Sequence, residues 1–550
     1  MNDPEVPAHR TALITAPEAA AVDVGAEILA RGGNAVDAAL ACAFAQGVVN
    51  PHDSSVGGFL VLQVCQPGDP AGVRTLDAPA TAGSRARPDM WATRFRGPNP
   101  SGWGYLLDGN PNEYGYGSIC TPGAVRGFAD AASRWGSMPL ADLIEPAARL
   151  AEDGFQVDAR IAAGWRSTPE YSATPLVEYL RSNREGSRVF LRPDGSPHDA
   201  GGVIRNPDYA ATLRRIGVAG ADAFYRGELA ERMADDLAAG GAAVTTADLA
   251  AYRTRDVEPL VGTYRGWTIT TSPPPHAGPT LIGILNILEG WDLRSFGHNS
   301  AGYILRVALA MKAAFADRAG LGDPLFVDVP LERMTSKDRS AEWRGRIERG
   351  EPIEADPVPA EAPGTTHVSV VDGSGMCVSL THSLGGSSGV VTPGLGFMFN
   401  NSMANFHPLP GHANSIAPGK GRTTGLTPTI VARDGRPAVV VGAPGAMKIV
   451  TGVAQVIVNM LDFGMDAQAA IDAPRFDCHG GPIALQSRFP AAVLADVGAR
   501  HPVVRSPYGH GGFGLVHAIG IDDDGRLSGG ADAGAHGMAV PLKTAGVSRR

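Results

Sequence analysis

The sequence predicts an α+β fold in which helices flank antiparallel strands. The first observation is a change of pattern near residue 364, with helical periodicity before it and paired strands after it. The second is a set of three strand pairs in the later part, at 368–380, 427–445 and 515–532. The turn of the second pair, Asp434-Gly435, is a strong local signal for an antiparallel hairpin.

Helices predominate in the first 364 residues. Residues 17–31 are apolar at helical spacing and stop at Gly32-Gly33, and Asn34 then caps a second helix that runs to Val49. Further helices are predicted at 137–152, 206–216, 223–241, 279–290 and 300–321. Strands are predicted at 57–65, at 75–82 and at 263–275, and a surface excursion rich in Pro, Gly, Trp and Tyr is predicted at 84–118.

The later part combines hairpins with one long helix. The first hairpin turns at Gly373-Ser374-Gly375. A helix is predicted at 446–462, directly after the glycine-rich turn 442–446. Because a helix start presents free backbone N–H groups, this turn predicts an anion site or an oxyanion hole. A strand-to-helix turn that merely needs glycine is the alternative.

Composition disfavours several classes of protein. The 550 residues hold 47 Lys and Arg against 56 Asp and Glu, and no long basic run suggests nucleic-acid binding. Five scattered cysteines and dispersed histidines predict neither a disulfide framework nor a metal site, and no cofactor is expected. The first residues lack the apolar core of a signal peptide, and the longest apolar run is interrupted by Pro444 and Lys448. A cytoplasmic protein without a membrane partner is expected.

Two motifs match known patterns without the context those patterns need. Gly385–Gly389 fits G-x-S-x-G, but the following VVTPGLG cannot form the helix of a nucleophile elbow. Gly509–Gly514 fits a dinucleotide fingerprint but precedes a strand. Three histidines could line a pocket, although a hydrogen-bonded structural role is the simpler prediction for each: His367, His382 and His536.

The junction Gly364-Thr365 is the strongest candidate for chemistry. A Pro/Glu/Ala-rich segment, 351–364, leads into two threonines and a strand. Cleavage of this peptide bond would free an N-terminal Thr365, whose α-amine (pKa ~7.7–8.0) lies within reach of its own hydroxyl. One residue would then supply both nucleophile and base. Read alone, the same residues also fit a threonine that starts a strand after a linker.

The ordered motifs resemble those of the γ-glutamyltranspeptidase family. At and after the junction they are Thr365-Thr366-His367, NNSM (400–403), SIAPGKGR (415–422), TPTIV (427–431) and GAPGA (442–446). Before it, the segments that fit the family's large subunit are GAEILARGGNAVDAALA (25–41), NPHDSSVGGF (50–59), TPGAVRGF (121–128), AARLAEDGF (147–155), DAFYRGELA (222–230) and PPP (273–275). The resemblance covers nearly the whole chain.

This resemblance implies an N-terminal-nucleophile hydrolase with an αββα sandwich and an α-rich large subunit. Cleavage would give residues 1–364 and 365–550, which stay intertwined as a heterodimer that could pair again. Thr365 would carry the acyl group as an ester, and water or an amine would resolve it. The backbone N–H groups of Gly445 and Ala446 would hold the oxyanion, and Ser383 stands where the family has a supporting Thr.

The positions for recognising a glutamyl group depart from the family pattern. The Arg that binds the glutamyl α-carboxylate would fall near Pro79, where this chain has none. The groups that bind the α-amine, together with a neighbouring serine pair, are replaced by Asn405, Ser402, Gly385, Thr424 and Gly425. A carboxylate facing the substrate ammonium would contribute about 1.5–3 kcal/mol, and an asparagine cannot supply that charge.

The sequence therefore predicts an autoprocessing amidohydrolase or acyltransferase for a small-molecule amide. Its acyl group would be small and carboxylate-bearing instead of γ-glutamyl, as in branches that resemble glutaryl-type cephalosporin acylases and oxamate-type amidohydrolases. The carboxylate would need a cation, and the candidates are Arg422, Lys448 and Arg85, although a surface or core-edge charge is the simpler interpretation of each taken singly. Two alternatives stay open: a γ-glutamyl hydrolase or transferase acting on glutathione, and a family member that folds but never cleaves.

Overall fold

The computed structural model describes residues 11–69, 72–99, 104–168, 174–355 and 364–543, so most of the predicted linker at 351–364 lies outside the described residues. The strands of the described residues are β1 (Thr11–Ala16), β2 (Phe59–Cys65), β3 (Val73–Ala78), β4 (Phe95–Pro98), β5 (Tyr105–Leu107), β6 (Phe155–Gln156), β7 (Val203–Ile204), β8 (Arg255–Val257), β9 (Leu260–Tyr264), β10 (Trp267–Thr271), β11 (Gly364–Val371), β12 (Cys377–Gly385), β13 (Thr429–Arg433), β14 (Arg436–Gly442), β15 (Phe476–Asp477), β16 (Ile483–Leu485), β17 (Val503–Arg505), β18 (His517–Ile521), β19 (Leu527–Ala531) and β20 (Met538–Lys543). Their α-helices are α1 (Ala19–Ala30), α2 (Ala35–Val49), α3 (Ala124–Trp135), α4 (Leu140–Asp153), α5 (Ala159–Arg166), α6 (Leu176–Arg181), α7 (Arg184–Phe190), α8 (Pro207–Ala219), α9 (Asp222–Tyr225), α10 (Glu228–Ala239), α11 (Thr246–Ala251), α12 (Gly278–Glu289), α13 (Ala301–Ala316), α14 (Leu331–Thr335), α15 (Lys337–Glu348), α16 (Lys448–Phe463), α17 (Ala467–Asp472) and α18 (Ala491–Gly498).

Two antiparallel sheets form the centre of the molecule. The larger sheet has seven strands in the order β20-β1-β11-β12-β2-β3-β8, and the smaller has six in the order β19-β18-β14-β13-β10-β9. Each sheet contains strands from both sides of Gly364. The two parts of the chain are therefore interleaved within both sheets.

Helices cover the outer face of each sheet. On the seven-stranded sheet, α2 packs against β11 and β12, α1 packs against β1 and β20 beside α2, and α4 packs against α2. Every residue of α2 is buried, because the helix has the sheet on one side and other helices on the other. On the six-stranded sheet, α12 packs against β9 and α16 against β14. The order helix, sheet, sheet, helix confirms the αββα sandwich that the resemblance implied.

The layer between the sheets changes character along β11. At the far end of the strand it is apolar, formed by Leu13, Val371, Cys377, Ile430, Val440 and Ile519. Toward the start of β11 the side chains on the same face become Ser369, His367 and Thr365, opposite Ser379, Thr381 and Ser383 of β12. The layer between the sheets is therefore buried and polar at the end where residue 365 lies.

Most predicted elements are present, and the differences have local causes. Asn34 caps α2 with a complete capping box, and Asp434-Gly435 is the hairpin turn, with φ of 50° and 76°. The single strand predicted at 263–275 is wrong: Arg265 and Gly266 take φ of 48° and 81° and turn the segment into the hairpin β9–β10. The predicted helix 223–241 is divided into α9 and α10 at Gly227, whose φ is 143°.

The remaining comparisons with the prediction concern the first residue of α16, the two glycine motifs and the length of the helices. The helix predicted from residue 446 begins two residues later, at Lys448. Neither G-x-S-x-G nor the glycines at 509–514 opens a helix, as the sequence context predicted. None of the helices in the described ranges combines the length and the apolar character needed to cross a bilayer.

Candidate active site

Thr365 lies at the start of β11 with its hydroxyl in contact with Ser383. The residue is 3% exposed. Its side chain points between the sheets because it pairs with Ser383 of β12, and paired residues of antiparallel strands share a face. The two hydroxyl oxygens are 2.9 Å apart. The structure thus brings together the two hydroxyl residues that the sequence assigned to catalysis.

The Ser383 hydroxyl also contacts the peptide bond before Thr365. Its Oγ donates to the carbonyl oxygen of Gly364 and accepts from the backbone N–H of Gly385 at 2.8 Å. Since serine has one hydroxyl proton and that proton goes to Gly364, the Thr365 hydroxyl must donate to Ser383. Three groups, the Thr365 hydroxyl, the Ser383 hydroxyl and the Gly364 carbonyl, therefore form one directed hydrogen-bond chain.

Glycines on both strands allow the backbone to approach closely here. The β11–β12 register shifts between Gly364 and Thr365. A Cβ at position 364 would overlap the carbonyl oxygen of Gly385, and it would lie 3.0 Å from the Cα of Gly386. Gly385 itself has φ of 80°, a conformation that favours glycine. The predicted cleavage junction thus sits where only small residues fit.

His367 follows the nucleophile candidate on the same face of β11. Its Nδ1 lies 2.9 Å from Thr381 Oγ1 and its Nε2 lies 2.8 Å from Ser369 Oγ. Burial holds the pKa of His367 well below its usual range, so the ring is neutral at physiological pH. On the helix side, burial lowers the pKa of His382 to about 3, and its Nε2 contacts Gln46. Both rings, and the exposed His536 that contacts Asp158, are hydrogen-bonded as predicted.

The turn at 442–446 reaches this end of the sandwich from the other sheet. Gly442 packs against the His367 ring, and β14 runs from Val440 beside Val371 to Gly442 beside His367. Because β14 runs in this direction, we expect the residues after Gly442 to approach Thr365. Gly445 and Ala446 have φ of 136° and 58°, and neither backbone N–H donates to an acceptor within the described residues. The two N–H groups predicted to hold an oxyanion are therefore available.

The NNSM run forms a wall beside the Gly385 loop. Asn401 Oδ1 accepts from the Gly386 N–H at 2.7 Å, which fixes the loop after β12. Ser402 and Asn405 begin and end the short 3-10 helix that follows. The Ser402 hydroxyl is buried and contacts no hydrogen-bond partner among the residues described. Ser402 therefore offers a hydroxyl for a ligand near the end of β12, where the Gly385 N–H donates to Ser383.

Thr424 is held by a buried pair that the sequence reading missed. Its Oγ1 lies 2.7 Å from His276 Nδ1, and His276 Nε2 lies 3.0 Å from Asp77 Oδ1. Gly425 follows in buried irregular backbone. His276 comes directly after the three prolines at 273–275, which was the available signal, but no local pattern connects it to residues 77 and 424.

A second missed group supports β11 from the helix side. Glu18 Oε2 accepts from Thr366 Oγ1 at 3.0 Å and from Gln46 Nε2 at 2.9 Å, while Arg160 lies 3.1 Å from its other oxygen. Burial raises the pKa of Glu18 against the opposing effect of Arg160. Glu18 has φ of 61°, outside the usual range for a non-glycine residue. The contact to Thr366 anchors the strand beside the nucleophile candidate.

The three candidate cations lie in different surroundings. Arg422 is 2% exposed, and its guanidinium stands 4.7 Å from the ring centroid of Phe59. Lys448 donates to the carbonyl oxygen of Gly512 at 3.0 Å, and Arg85 is exposed. Pro79 lies beside Gly421, one residue before Arg422. Across the described stretches, no group of three His, Cys, Asp or Glu side chains could hold a metal ion.

Comparison with known proteins identifies the family. The model of the family described as gamma-glutamyltranspeptidase matches residues 21–542. The acylase ACY 1 proenzyme of Pseudomonas sp. (strain SE83) is 38% identical over 529 residues, covering 94% of this chain and 91% of the relative. The glutathione hydrolase proenzyme of Escherichia coli (strain K12) is 32% identical over 546 residues, covering 94% and 90%.

A solved structure agrees with these sequence matches. The cephalosporin acylase from Bacillus halodurans superposes with a TM-score of 0.85 at 28% identity, covering 98% of this chain and 97% of that one. Sequence relatives and fold thus point to the same group of enzymes. The chain belongs to the γ-glutamyltranspeptidase family and is an autoprocessing, acyl-transferring hydrolase with the N-terminal-nucleophile fold.

Proposed function

We propose that Thr365 is the nucleophile and that it first cuts the Gly364–Thr365 bond, leaving residues 1–364 and 365–550 as the two subunits. The observation that supports this most strongly is the hydrogen-bond chain from the Thr365 hydroxyl through Ser383 to the Gly364 carbonyl. This chain joins the attacking group to the carbonyl that it would attack.

Self-cleavage follows from the direction of that chain. The Thr365 oxygen attacks the Gly364 carbonyl carbon, passing its proton to Ser383, while Ser383 gives its own proton to the carbonyl oxygen. As the tetrahedral intermediate collapses, the C–N bond breaks, the proton on the former carbonyl oxygen passes to the leaving nitrogen of Thr365, and Gly364 remains as an ester on the Thr365 oxygen. Water then hydrolyses the ester, giving a Gly364 carboxylate and an unblocked Thr365.

The free amine of Thr365 then serves as general base for turnover. It accepts the hydroxyl proton as the oxygen attacks the substrate amide, and the proton leaves with the departing amine. The N–H groups of Gly445 and Ala446 stabilise the oxyanion, which is worth about 2.7–4 kcal/mol for one such donor in a known case. Water or an acceptor amine releases the acyl group from Thr365.

The acyl group is proposed to be a small, carboxylate-bearing acyl instead of γ-glutamyl. Gly385, Ser402, Asn405, Thr424 and Gly425 line the acyl site in this proposal, and none of them carries a negative charge for a substrate ammonium. The relatives of this chain include an acylase as well as a glutathione hydrolase. A site without a carboxylate fits an acyl group that has no ammonium, as an acylase would use, because burying an unpaired ammonium is costly.

The two cleaved chains are proposed to stay together as a heterodimer. Both sheets contain strands from each chain, so separation would break the main-chain pairing of β1 with β11 and of β12 with β2. Pairing of two such heterodimers and a cytoplasmic location stay predictions.

Two matched amides test the acyl preference. Glutaryl-p-nitroanilide differs from γ-glutamyl-p-nitroanilide only by lacking the α-ammonium group. We expect the purified enzyme to favour the glutaryl compound in kcat/KM by about 10- to 100-fold, because Asn405 supplies no negative charge to pair with the ammonium. Release of p-nitroaniline measures both rates, and an oxalyl amide extends the series to shorter acyl groups.

The same assay separates the alternatives. Strong turnover of the γ-glutamyl compound alone would contradict the proposed acyl preference and favour a glutathione hydrolase. A wild-type protein that stays as one chain and hydrolyses none of the amides would indicate a silent family member.

A further inference from the structure

We propose that Arg422 is the specificity-determining residue of this site, binding the terminal carboxylate of the acyl group that Thr365 receives. The inference rests on the proposed function of Thr365. It assigns the preferred substrates to one chemical class, the amides of short dicarboxylic acids that keep one free carboxylate.

Arg422 contacts the end of the row of side chains that contains the nucleophile. Thr365, Ser383 and Phe59 are neighbours across three adjacent strands, so their side chains share the face between the sheets. The Arg422 guanidinium stands over the Phe59 ring, 4.7 Å from its centroid. The aromatic face orients the guanidinium through a cation–π contact, and its Nη1 donates to the carbonyl oxygen of Thr423 at 3.0 Å.

Gly385 makes the space in which this guanidinium meets the catalytic loop. A Cβ at position 385 would lie 2.6 Å from Asn401 Oδ1 and 3.5 Å from Arg422 Nη2. Any longer side chain there would come between Arg422 and the loop. The Gly385 N–H donates to Ser383, which belongs to the hydrogen-bond chain of the nucleophile. Only Gly385 therefore separates the Arg422 guanidinium from that chain.

The distances suit a short dicarboxylic acyl chain. Two strand spacings place the backbone of Phe59 about 10 Å from that of Thr365. A five-carbon acyl group spans roughly 5 Å between its end carbons, and a charge-assisted hydrogen bond adds about 2.8 Å. The acyl chain of an ester on Thr365 therefore has a length comparable to the separation of these strands, and a guanidinium binds carboxylates in a bidentate manner.

The segment that carries Arg422 is fixed on both sides. Lys420 Nζ donates to the carbonyl oxygen of Ala413 at 2.7 Å, and the Gly421 N–H donates to Asp323 at 2.7 Å. The Thr423 N–H donates to Asn414 at 3.1 Å. These contacts hold the backbone of residues 420–423 in one position. Little conformational entropy of this segment would therefore be lost when the guanidinium binds a carboxylate.

A third matched amide tests the role of Arg422. Pentanoyl-p-nitroanilide replaces the far carboxylate of the glutaryl compound by a methyl group. We expect wild-type kcat/KM to favour glutaryl over pentanoyl, and Arg422→Met to reduce this glutaryl-to-pentanoyl ratio by about 10- to 100-fold. Arg422→Lys should give an intermediate ratio, because lysine keeps the charge without the bidentate fork.

Arg85→Met is the matched control, since it removes an exposed cation by the same change, and its ratio should equal that of the wild type. Cleavage into two chains on a gel reports that each variant has folded. The role assigned to Arg422 would be overturned if the wild type cleaved and hydrolysed both amides without preferring glutaryl. This result would leave the proposed function intact, and it does not depend on whether Arg422→Met folds. An unchanged glutaryl-to-pentanoyl ratio in a cleaved Arg422→Met protein would also overturn the role of Arg422. Failure of the wild type to cleave and to hydrolyse any amide would instead reject the proposed function.

Discussion

Replacing Thr365 with Ala is expected to leave the protein as a single chain of 57.0 kDa and to lower amide hydrolysis by about 10⁴- to 10⁶-fold. Without the hydroxyl no attack on the Gly364 carbonyl can occur, and no acyl group can be carried. Gel electrophoresis of the purified variant and release of p-nitroaniline measure the two effects.

The neighbouring threonine provides the matched control. Thr366 points to the helix side, where its hydroxyl contacts Gln46 at 2.6 Å and Glu18 at 3.0 Å. Thr366→Ala should cost about 1–3 kcal/mol of stability for the unsatisfied groups and still cleave. Thr365→Ser should also cleave, because it keeps the hydroxyl. If Thr365→Ala still gave two chains, another residue would have to perform the cut.

Ser383→Ala is expected to slow self-cleavage by about 10²- to 10³-fold, corresponding to ~2.7–4 kcal/mol of transition-state stabilisation. The variant loses both the acceptor for the Thr365 proton and the donor to the Gly364 carbonyl. The fraction of uncleaved chain, followed on gels from the time of purification, measures this rate.

Ser379→Ala is the control for this variant, since Ser379 lies on the same face of β12 but donates to Val441 of the facing sheet. Its cleavage rate should match that of the wild type, and Ser383→Thr should retain most of the rate because a hydroxyl is kept. Equal rates for Ser383→Ala and the wild type would contradict the proton transfer described for Ser383.

Local signals predicted the elements whose structure is set locally. Asn34 and Asp37 form the capping box of α2, and the Asp434-Gly435 turn defines the hairpin β13–β14. The turn at Arg265-Gly266 was missed because arginine seldom takes positive φ, so nothing in the residue type indicated it. The pairing of β1 with β20 joins residues more than five hundred positions apart, and no short-range pattern encodes it.

In the candidate site too, local motifs identified some residues, and others depend on how distant segments pack. The order of motifs around the junction was enough to select Thr365 and Ser383, which the structure places in contact. Sequence could name Arg422 only as one of three cations, because its position over Phe59 and beside Gly385 depends on how three separate segments pack. The buried contacts from Asp77 through His276 to Thr424 were missed for the same reason.

Self-cleavage makes Thr365 the N-terminal residue of a second chain in the proposed function. N-terminal sequencing of the smaller chain of the purified wild-type protein tests this most directly. Cleavage after residue 364 of the 550 should give chains of 364 and 186 residues, and the smaller chain should begin Thr-Thr-His-Val. A smaller chain that begins at any other residue, or a protein that stays uncleaved, would contradict it.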